Sequence, residues 1–518
     1  MVIDHHRIWK EWGLVLSFTL FKLIIHLIFI QGYGFHRDEF LYLDDGNHMD
    51  WGFMEVPPFT PIIGKIAQLL FGASLFSARI FPALVGALNV VLIGVMVKDL
   101  GGKKWALIFA CTAFLISPAF LRTHHLFQPV AFNQFWWFLS AVLLVRIVKY
   151  REPRYWYFLG LVAGIGFMTK YSIVFMYLAF LVGLLVTRHR TWINTKHAHT
   201  ALAIAFFIAL PNLLWQYGYG WPVLKHMEEL ARNQLVNVSP LGFLEGQLLF
   251  HFASTIIWLG GLIYLFLPHS NLKDYRFLGW SYIFLLVILL ALSGKAYYTL
   301  GIYPMLIAVG GVAWEHWLAV RKRAWSYLVV FLIVGINLIS LPYGIPILPI
   351  EPMQKYAAYM KENWGLARPL TWEDGKVYPL PQDYADMHGW EEMAFRVAKF
   401  YHSLGEEEKK KCNIWGGSYA HAGTLNYYRQ KYNLPEVYSF VGSYLLWVPD
   451  SIEFDRQILV DDVLSLESQY FNQVQLIDSI RDPYAREKGY IYYRTDPKVD
   501  VQVAWAELVR RQRKEKLE

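Results

Sequence analysis

Long apolar runs separated by short polar and basic stretches make up the chain as far as Pro342. A helix needs roughly 20 mostly apolar residues to cross a bilayer core, so this pattern predicts about eleven membrane helices. The first run follows a basic stretch but is long and lacks a small-residue cleavage site, which favours an uncleaved anchor over a removed signal peptide. The predicted spans are residues 12–31, 78–97, 105–121, 130–148, 155–169, 172–187, 200–217, 245–267, 277–293, 297–317 and 324–342.

The pattern changes after Pro342, where a proline-rich connector leads into amphipathic segments. WEEMAFRVAKFYHSL and YAHAGTLNYYRQKY have helical periodicity, whereas CNIWGG, YLLWVP, QILVDD and GYIYYR are typical of strands. Ser418 is favoured as a helix N-cap over part of an anion site. We therefore predict a transmembrane module at 1–342, with a first outer loop at 32–77, and a soluble α/β domain at 343–518.

Composition and charge support a membrane protein. The chain of 518 residues is 55% hydrophobic and 17% charged, which is too apolar for an ordinary soluble enzyme. Its net charge of +7 comes from Lys and Arg in short connections between apolar runs, as expected for loops at the cytoplasmic face rather than for a nucleic-acid surface. The charge pattern therefore predicts a cytoplasmic N-terminus, with the loop at 32–77 and the C-terminal domain on the opposite, extracytoplasmic side.

The stretch GFHRDEFLYLDDGNHMDWGFMEVPP places six carboxylates directly after the first apolar run. Asp38 and Glu39 are adjacent, and a low dielectric near the membrane could raise a carboxylate pKa toward that of a general base. A solvated interfacial loop without chemistry is the alternative. We interpret the remaining aspartates, Asp44, Asp45 and Asp50, as the solvated or capping part of the loop.

Glu55 and several cations are further candidates. Two prolines after Val56 hold Glu55 on a stiff extended backbone, which suits a metal ligand, a substrate clamp or a structural turn. Arg79, Lys170 and Lys295 are predicted at the outer interface, where each could bind an anion or anchor the chain at the headgroups. Tyr297 and Tyr298 follow Lys295, and a cation with two hydroxyl donors suits a lipid phosphate.

Several stretches carry a resemblance to a known family. RDEFLYLDDGNHMDWGFMEVPPFTPIIGKIA, SARIFPALVGALNVVLIGVMVKDLGG, GIGFMTKYSIVFM and GKAYYTLGIYPMLIAVGG resemble bacterial integral-membrane glycosyltransferases of family 39. This is the superfamily of protein O-mannosyltransferases and the lipid A aminoarabinose transferase. DYADMHGWEEMAFRVAKFY and GGSYAHAGTLNYYRQKYNLPEVYS resemble the extracytoplasmic domain of its bacterial members.

The resemblance implies a polytopic α-helical membrane protein of the inner membrane, with the glycosyltransferase C (GT-C) fold and a C-terminal extracytoplasmic α/β domain. Its implied reaction is inverting transfer of a sugar from a polyprenyl-phosphate donor to a hydroxyl or phosphate of a protein, lipid A or a cell-envelope glycan. A divalent metal cation is an implied candidate cofactor, and no nucleic-acid partner is expected.

The resemblance also implies roles for individual residues. Asp38 would be the catalytic carboxylate that deprotonates the acceptor, with Glu39 as its companion. Glu55 would hold the acceptor or a divalent metal, with His226 in the second outer loop as the candidate partner for the metal. Residues implied near the donor phosphate are Arg79, Lys170, Lys295, Tyr297 and Tyr298.

Two other classes of protein remain open from the residues alone. A transporter would also be polytopic, but repeated halves with interrupted helices are typical of transporters, and we find no such repeat. A membrane-anchored scaffold would concentrate its distinctive residues in the C-terminal domain and would tolerate neutralisation of the first loop. The sequence leaves the sugar, the acceptor, the metal requirement and the oligomeric state undetermined.

Overall fold

A computed structural model describes residues 5–517. Its contacts divide the chain into two compact units. Unit 1 comprises Met1–Gly32, Phe71–Leu213 and Arg232–Pro349, and unit 2 comprises Tyr33–Leu70, Leu214–Ala231 and Ile350–Glu518. The acidic stretch thus belongs to the same compact unit as the C-terminal region. The domain boundary expected between 342 and 343 remains a prediction.

The described residues form α-helices and one five-stranded sheet. The helices are α1 His5–Ile28, α2 Arg37–Asp45, α3 Phe59–Phe71, α4 Leu75–Asp99, α5 Lys104–Ile116, α6 Pro118–Thr123, α7 Pro129–Tyr150, α8 Arg154–Phe167, α9 Ile173–Leu185, α10 Lys196–Gly218, α11 Pro222–Asn233, α12 Pro240–Leu249, α13 Thr255–Phe266, α14 Arg276–Ala291, α15 Tyr303–Leu318, α16 Arg323–Gly344, α17 Ile350–Trp364, α18 Gln382–Ala385, α19 Trp390–Ser403, α20 Glu406–Lys410, α21 Tyr419–Tyr432, α22 Tyr444–Trp447 and α23 Val501–Leu517. The strands are β1 Cys412–Gly416, β2 Val437–Tyr438, β3 Arg456–Asp461, β4 Phe471–Asp478 and β5 Tyr490–Pro497.

Seven helices among the described residues are long and apolar enough to cross a membrane, or eight if α12 and the bent segment Phe252–Phe266 form one broken span. The predicted polytopic helical class is confirmed, but the count of eleven is not. Several predicted spans are shorter helices, such as α5, with 13 residues. Helix α5 ends at Ile116 because Ser117 precedes Pro118 and is extended, as the steric clash with a following proline favours.

Unit 1 has one large hydrophobic core, to which α4, α5, α7, α13, α14 and α15 contribute. Helices α13 and α15 approach each other closely through glycines. A Cβ added to Gly310 would lie 2.0 Å from the carbonyl oxygen of Ile257, and one added to Gly261 would lie 2.5 Å from that of Leu306. Small residues that permit such backbone contact are typical of packing between membrane helices.

The sheet of unit 2 has the strand order β2-β1-β3-β5-β4. Strands β2, β1 and β3 run parallel, and β5 pairs antiparallel with both β3 and β4. The predicted strands in CNIWGG, QILVDD and GYIYYR and the predicted helices α19 and α21 are confirmed, as is Ser418, whose side chain accepts a hydrogen bond from the backbone N–H of His421. The strand expected in YLLWVP is wrong, since Tyr444–Trp447 forms the short helix α22.

The acidic stretch folds within unit 2, where α2 packs against α21. Phe40 of α2 is fully buried, and its ring lies 6.1 Å from that of Trp390 and 5.4 Å from that of Tyr427. Further along the stretch, Met54 packs with Leu445 and Leu517 in a small hydrophobic cluster. These apolar contacts hold the carboxylates of the first loop against residues that lie far away in the sequence.

Candidate active site

Helix α2 begins with a capping box that positions Asp38. Nδ1 of His36 accepts a hydrogen bond from the backbone N–H of Asp38 at 3.2 Å. The carboxylate of Glu39 accepts one from the backbone N–H of His36 at 2.8 Å. This reciprocal pair satisfies donors at the start of the helix. Glu39 is therefore buried and acts as a cap, while its role as a catalytic companion remains a prediction.

Asp38 is half-buried in the first turn of α2, where the helix dipole stabilises a negative charge. Its Oδ1 accepts a hydrogen bond from the phenol of Tyr419 at 2.8 Å. Burial, reinforced by Asp38, raises the pKa of Tyr419 well above its usual value, so the phenol stays protonated and donates. The structure thus holds one oxygen of the predicted catalytic carboxylate in a defined orientation.

A network of charged side chains extends from Tyr419. The guanidinium of Arg37 lies over the Tyr419 ring, 4.8 Å from its centre, and Nη1 of Arg37 lies 2.8 Å from Oε1 of Glu487. The other oxygen of Glu487 is 3.1 Å from Nε2 of His421, and Oδ1 of Asp462 is 3.7 Å from the same nitrogen. Burial lowers the pKa of His421, but the two carboxylates outweigh it and raise the value to about 9.

Two aspartates of the C-terminal region face His36. Nε2 of His36 lies 3.5 Å from Oδ1 of Asp383 and 3.8 Å from Oδ2 of Asp386. Burial lowers the pKa of His36, while Asp38, Asp386 and Asp383 raise it, and the net pKa lies above the ordinary value. In the neutral form Nδ1 of His36 accepts the capping hydrogen bond, whereas in the imidazolium form, which these carboxylates favour, Nδ1 is a donor that faces Oδ2 of Asp38 at 3.9 Å.

Of the two expectations for Asp44 and Asp45, solvated or capping residues, the solvated one is wrong, because both side chains are buried. Oδ2 of Asp44 accepts hydrogen bonds from the phenol of Tyr444 at 2.8 Å and from Nδ2 of Asn426 at 3.1 Å. Burial raises the pKa of Asp45 well above its usual range. Asp50 is exposed, and its Oδ2 accepts a hydrogen bond from Nε1 of Trp215 at 2.8 Å.

Glu55 holds the turn before α22. Its Oε1 accepts a hydrogen bond from the backbone N–H of Ser443 at 3.0 Å, and its Oε2 accepts one from the hydroxyl of Ser443 at 2.5 Å. That hydroxyl also accepts a hydrogen bond from the backbone N–H of Met54 at 3.1 Å. Gly442 has a φ of +62°, and a Cβ there would lie 1.8 Å from Oε1 of Glu55, so only glycine fits this turn.

Each oxygen of the Glu55 carboxylate accepts one hydrogen bond from Ser443 and keeps a second lone pair. His226 lies half-buried on α11. Among the residues that the structure describes, one group of three His, Cys, Asp or Glu side chains has ligand atoms within 4.8 Å of one another, and it contains neither Glu55 nor His226. The metal role of these two residues remains a prediction.

Four of the residues implied near the donor phosphate come together in unit 1. Nζ of Lys170 lies 5.5 Å from the ring centres of both Tyr297 and Tyr298. Nζ of Lys295 lies 6.0 Å from the ring centre of Tyr297 and donates a hydrogen bond to Oε1 of Gln234. The two lysines come from segments 125 positions apart, and their ammonium groups beside phenols make a favourable environment for an anion.

Arg79 occupies a different environment near the start of α4, where its side chain is buried. Nη1 of Arg79 donates a hydrogen bond to the carbonyl oxygen of Ile30 at 2.9 Å and lies 3.2 Å from Nε2 of His125. These contacts join α4 to the end of the first membrane helix and to the segment after α6. A contribution of Arg79 to phosphate binding remains a prediction.

Sequence reasoning did not single out Arg37, Tyr419, His421, Asp462 or Glu487. The sequence contains a local signal for Ser418 as the N-cap of α21. It contains none for the residues that the side chains of this helix contact. Tyr419 and Asp38 are 381 positions apart, so only the folded chain shows their contact.

The chain is similar to several known proteins. The family model described as dolichyl-phosphate-mannose-protein mannosyltransferase matches residues 55–215. Lipid A galacturonosyltransferase RgtD of Rhizobium johnstonii is 21% identical over 222 residues, which are 42% of this chain and 46% of that protein. Undecaprenyl phosphate-alpha-4-amino-4-deoxy-L-arabinose arabinosyl transferase 1 of Pseudomonas fluorescens is 29% identical over 247 residues, 44% of this chain and 37% of that protein. The family 39 resemblance is confirmed.

The matches to these two relatives cover less than half of their length. The crystal structure of ArnT from Cupriavidus metallidurans bound to undecaprenyl phosphate is 14% identical, covers 93% of this chain and 98% of its own, and has a TM-score of 0.57. Its apo form is 15% identical, with the same coverage and a TM-score of 0.59. The chain therefore has the GT-C fold.

Proposed function

We propose that the chain is an inverting glycosyltransferase of the inner membrane that uses a polyprenyl-phosphate sugar. The observation that carries the proposal is the presentation of Asp38 on the first turn of α2, with its Oδ1 held by the phenol of Tyr419. The name of one relative, an undecaprenyl phosphate-alpha-4-amino-4-deoxy-L-arabinose arabinosyl transferase, supports this class of donor. The name of the other, a lipid A galacturonosyltransferase, supports a glycolipid acceptor.

The reaction requires two things of the protein: a general base and stabilisation of the leaving group. A phosphate-linked sugar is already activated, so Asp38 removes the proton of the acceptor as its oxygen attacks the anomeric carbon. The bond from that carbon to the phosphate oxygen breaks on the opposite face, which inverts the configuration. Within unit 1, Lys170 and Lys295, with the hydroxyls of Tyr297 and Tyr298, form the proposed binding site for the lipid phosphate of the donor.

The proposed acceptor is a hydroxyl or phosphate of lipid A, another envelope glycan or a protein on the extracytoplasmic side. The predicted cytoplasmic N-terminus supports that side, because it places the acidic stretch and the C-terminal region away from the cytoplasm. Glu55 would hold the acceptor or a divalent metal, and no step of the reaction is routed through that ion.

Replacing Asp38 tests the proposal directly. Purified Asp38→Asn in lipid nanodiscs should bind an undecaprenyl-phosphate sugar but transfer it to acceptor glycolipid at least about 100-fold more slowly, the usual scale of a general base. Glu467→Gln, which neutralises an exposed carboxylate of unit 2, is the matched control and should retain activity. A folded Asp38→Asn protein with full transfer would contradict the assignment of the base. If the unaltered protein binds no such donor and cells that lack it show no change in envelope glycans, the transporter or scaffold alternative is favoured.

A further inference from the structure

Three potential metal ligands from separate segments of unit 2 converge beside α21. His421 lies in the first turn of this helix, Asp462 directly follows β3, and Glu487 precedes β5. One oxygen of each carboxylate and one ring nitrogen of the histidine all lie within 4.8 Å of one another. The imidazole of His421 and the carboxylate of Glu487 are buried, whereas Asp462 reaches solvent.

The geometry of this group differs from that of a hydrogen-bonded pair. Nε2 of His421 is 3.1 Å from Oε2 of Glu487, yet neither atom forms an aligned hydrogen bond, although both are buried. A buried polar atom without a hydrogen bond is costly, so each such atom calls for an explanation. Two ligands of one metal ion are also close together without being aligned with each other, because both point at the ion.

The spacing of the three atoms matches a metal site. Ligand atoms about 2.1 Å from a tetrahedral zinc ion lie about 3.4 Å from one another. Nε2 of His421 lies 3.1 Å from Oε2 of Glu487, close to that value, and one oxygen of Asp462 completes a group whose ligand atoms all lie within 4.8 Å of one another. One imidazole and two carboxylates are an accepted donor set for Zn²⁺.

Other groups orient the two carboxylates. Oδ1 of Asp462 accepts hydrogen bonds from the backbone N–H groups of Lys488 at 2.9 Å and Gly489 at 3.0 Å, which use both lone pairs of that oxygen and leave Oδ2 for a metal. Oε1 of Glu487 lies 2.8 Å from Nη1 of Arg37, which leaves its Oε2 facing His421. Such outer contacts are typical of metal ligands, whose orientation they hold in place.

We propose that His421, Asp462 and Glu487 bind one Zn²⁺ ion, with a fourth position for water. The ion joins the start of α21 to the segments beside β3 and β5. Tyr419, which contacts Asp38, lies two residues before His421, so the ion also stiffens the helix turn that orients Asp38. Binding of the ion is independent of the proposed transferase activity.

The test measures zinc in the full-length protein. The protein is purified in detergent, stripped with a chelator, reloaded with Zn²⁺ and desalted, and its metal content is measured by plasma mass spectrometry. We expect about one ion per chain for the unaltered protein and less than about a tenth of an ion for His421→Gln and Glu487→Gln, since each variant loses a direct ligand. The control His226→Gln should retain zinc, because His226 is not part of the group.

Thermal unfolding provides a second measurement, and its first part uses the unaltered protein alone, so it does not depend on a variant folding well. Zinc should raise the unfolding temperature of the stripped unaltered protein and should leave that of Glu487→Gln unchanged. Absence of bound zinc in the reloaded protein would overturn the proposal and would leave an imidazolium ion pair in this place. Loss of zinc in His226→Gln but not in His421→Gln would move the metal to the Glu55 region and would also overturn it.

Discussion

The phenol of Tyr419 donates a hydrogen bond of 2.8 Å to Oδ1 of Asp38, although the two residues are 381 positions apart. The contact joins the first turn of α2 to the first residue of α21. It makes Tyr419 a positioning residue for the proposed base, and it gives the C-terminal region a direct part in the arrangement of the first loop.

Replacing Tyr419 by Phe removes this hydrogen bond and keeps the ring. We expect kcat for sugar transfer to fall about tenfold, which corresponds to about 1.4 kcal/mol, since hydrogen bonds to charged groups contribute on that scale. The KM for the lipid donor should change little, because Tyr419 orients the base and does not hold the donor. Steady-state kinetics with a radiolabelled donor measure both constants. Tyr428→Phe on the same helix is the control, and an equal fall in kcat there would contradict the positioning role.

Neutralising the lysines of unit 1 should weaken binding of the donor phosphate. Lys170→Met and Lys295→Met each remove a cation beside Tyr297, and we expect the donor Kd to rise about tenfold for each, as for the loss of one charge-assisted hydrogen bond. Binding of undecaprenyl phosphate by tryptophan fluorescence checks this. Lys104→Met removes an exposed lysine of unit 1 and serves as the control. Unchanged donor affinity in both variants would place the phosphate elsewhere.

Ser443→Ala should destabilise the turn that Glu55 holds. The substitution removes the hydroxyl that donates to Oε2 of Glu55 and accepts from the backbone N–H of Met54. Because both groups lose a partner away from bulk water, we expect the free energy of unfolding to fall by about 1–3 kcal/mol. Chemical unfolding followed by far-UV circular dichroism measures this change. Ser451→Ala at an exposed site should have no effect, and equal stability of the two variants would argue against a structural role for the Glu55 contact.

His36 should make the stability of unit 2 depend on pH. Burial lowers its pKa, but Asp38, Asp386 and Asp383 raise it more, so the folded-state pKa exceeds the unfolded value. The stabilisation is therefore complete below the ordinary histidine pKa of about 6.5 and is lost as the pH rises through the folded-state pKa. His36→Asn keeps a good N-cap and removes the charge. The unfolding temperature of the unaltered protein should exceed that of the variant most at pH 6, and the difference should shrink toward alkaline pH. A difference that grows with pH would contradict a raised folded-state pKa of His36.

Local patterns were sufficient for much of the secondary structure. Short apolar runs located β1, β3 and β5, most of whose residues are buried or half-buried, and helical periodicity located α19 and α21. The edge strand β4 escaped notice because half of its side chains are exposed and its sequence, FNQVQLID, mixes four polar with four apolar residues. YLLWVP was mistaken for a strand because four apolar residues in a row fit either a strand or a short buried helix.

The membrane class, the importance of the acidic stretch and the family resemblance all follow from the order of residues along the chain. Hydrophobic run length and the placement of charge are local properties, so they can be read without a fold. Tertiary packing determines which partner each carboxylate contacts. Asp38 accepts a hydrogen bond from Tyr419, and Asp44 accepts one from Tyr444. Glu55 accepts a hydrogen bond from Ser443 in the turn before α22. Such contacts depend on which surfaces meet in space.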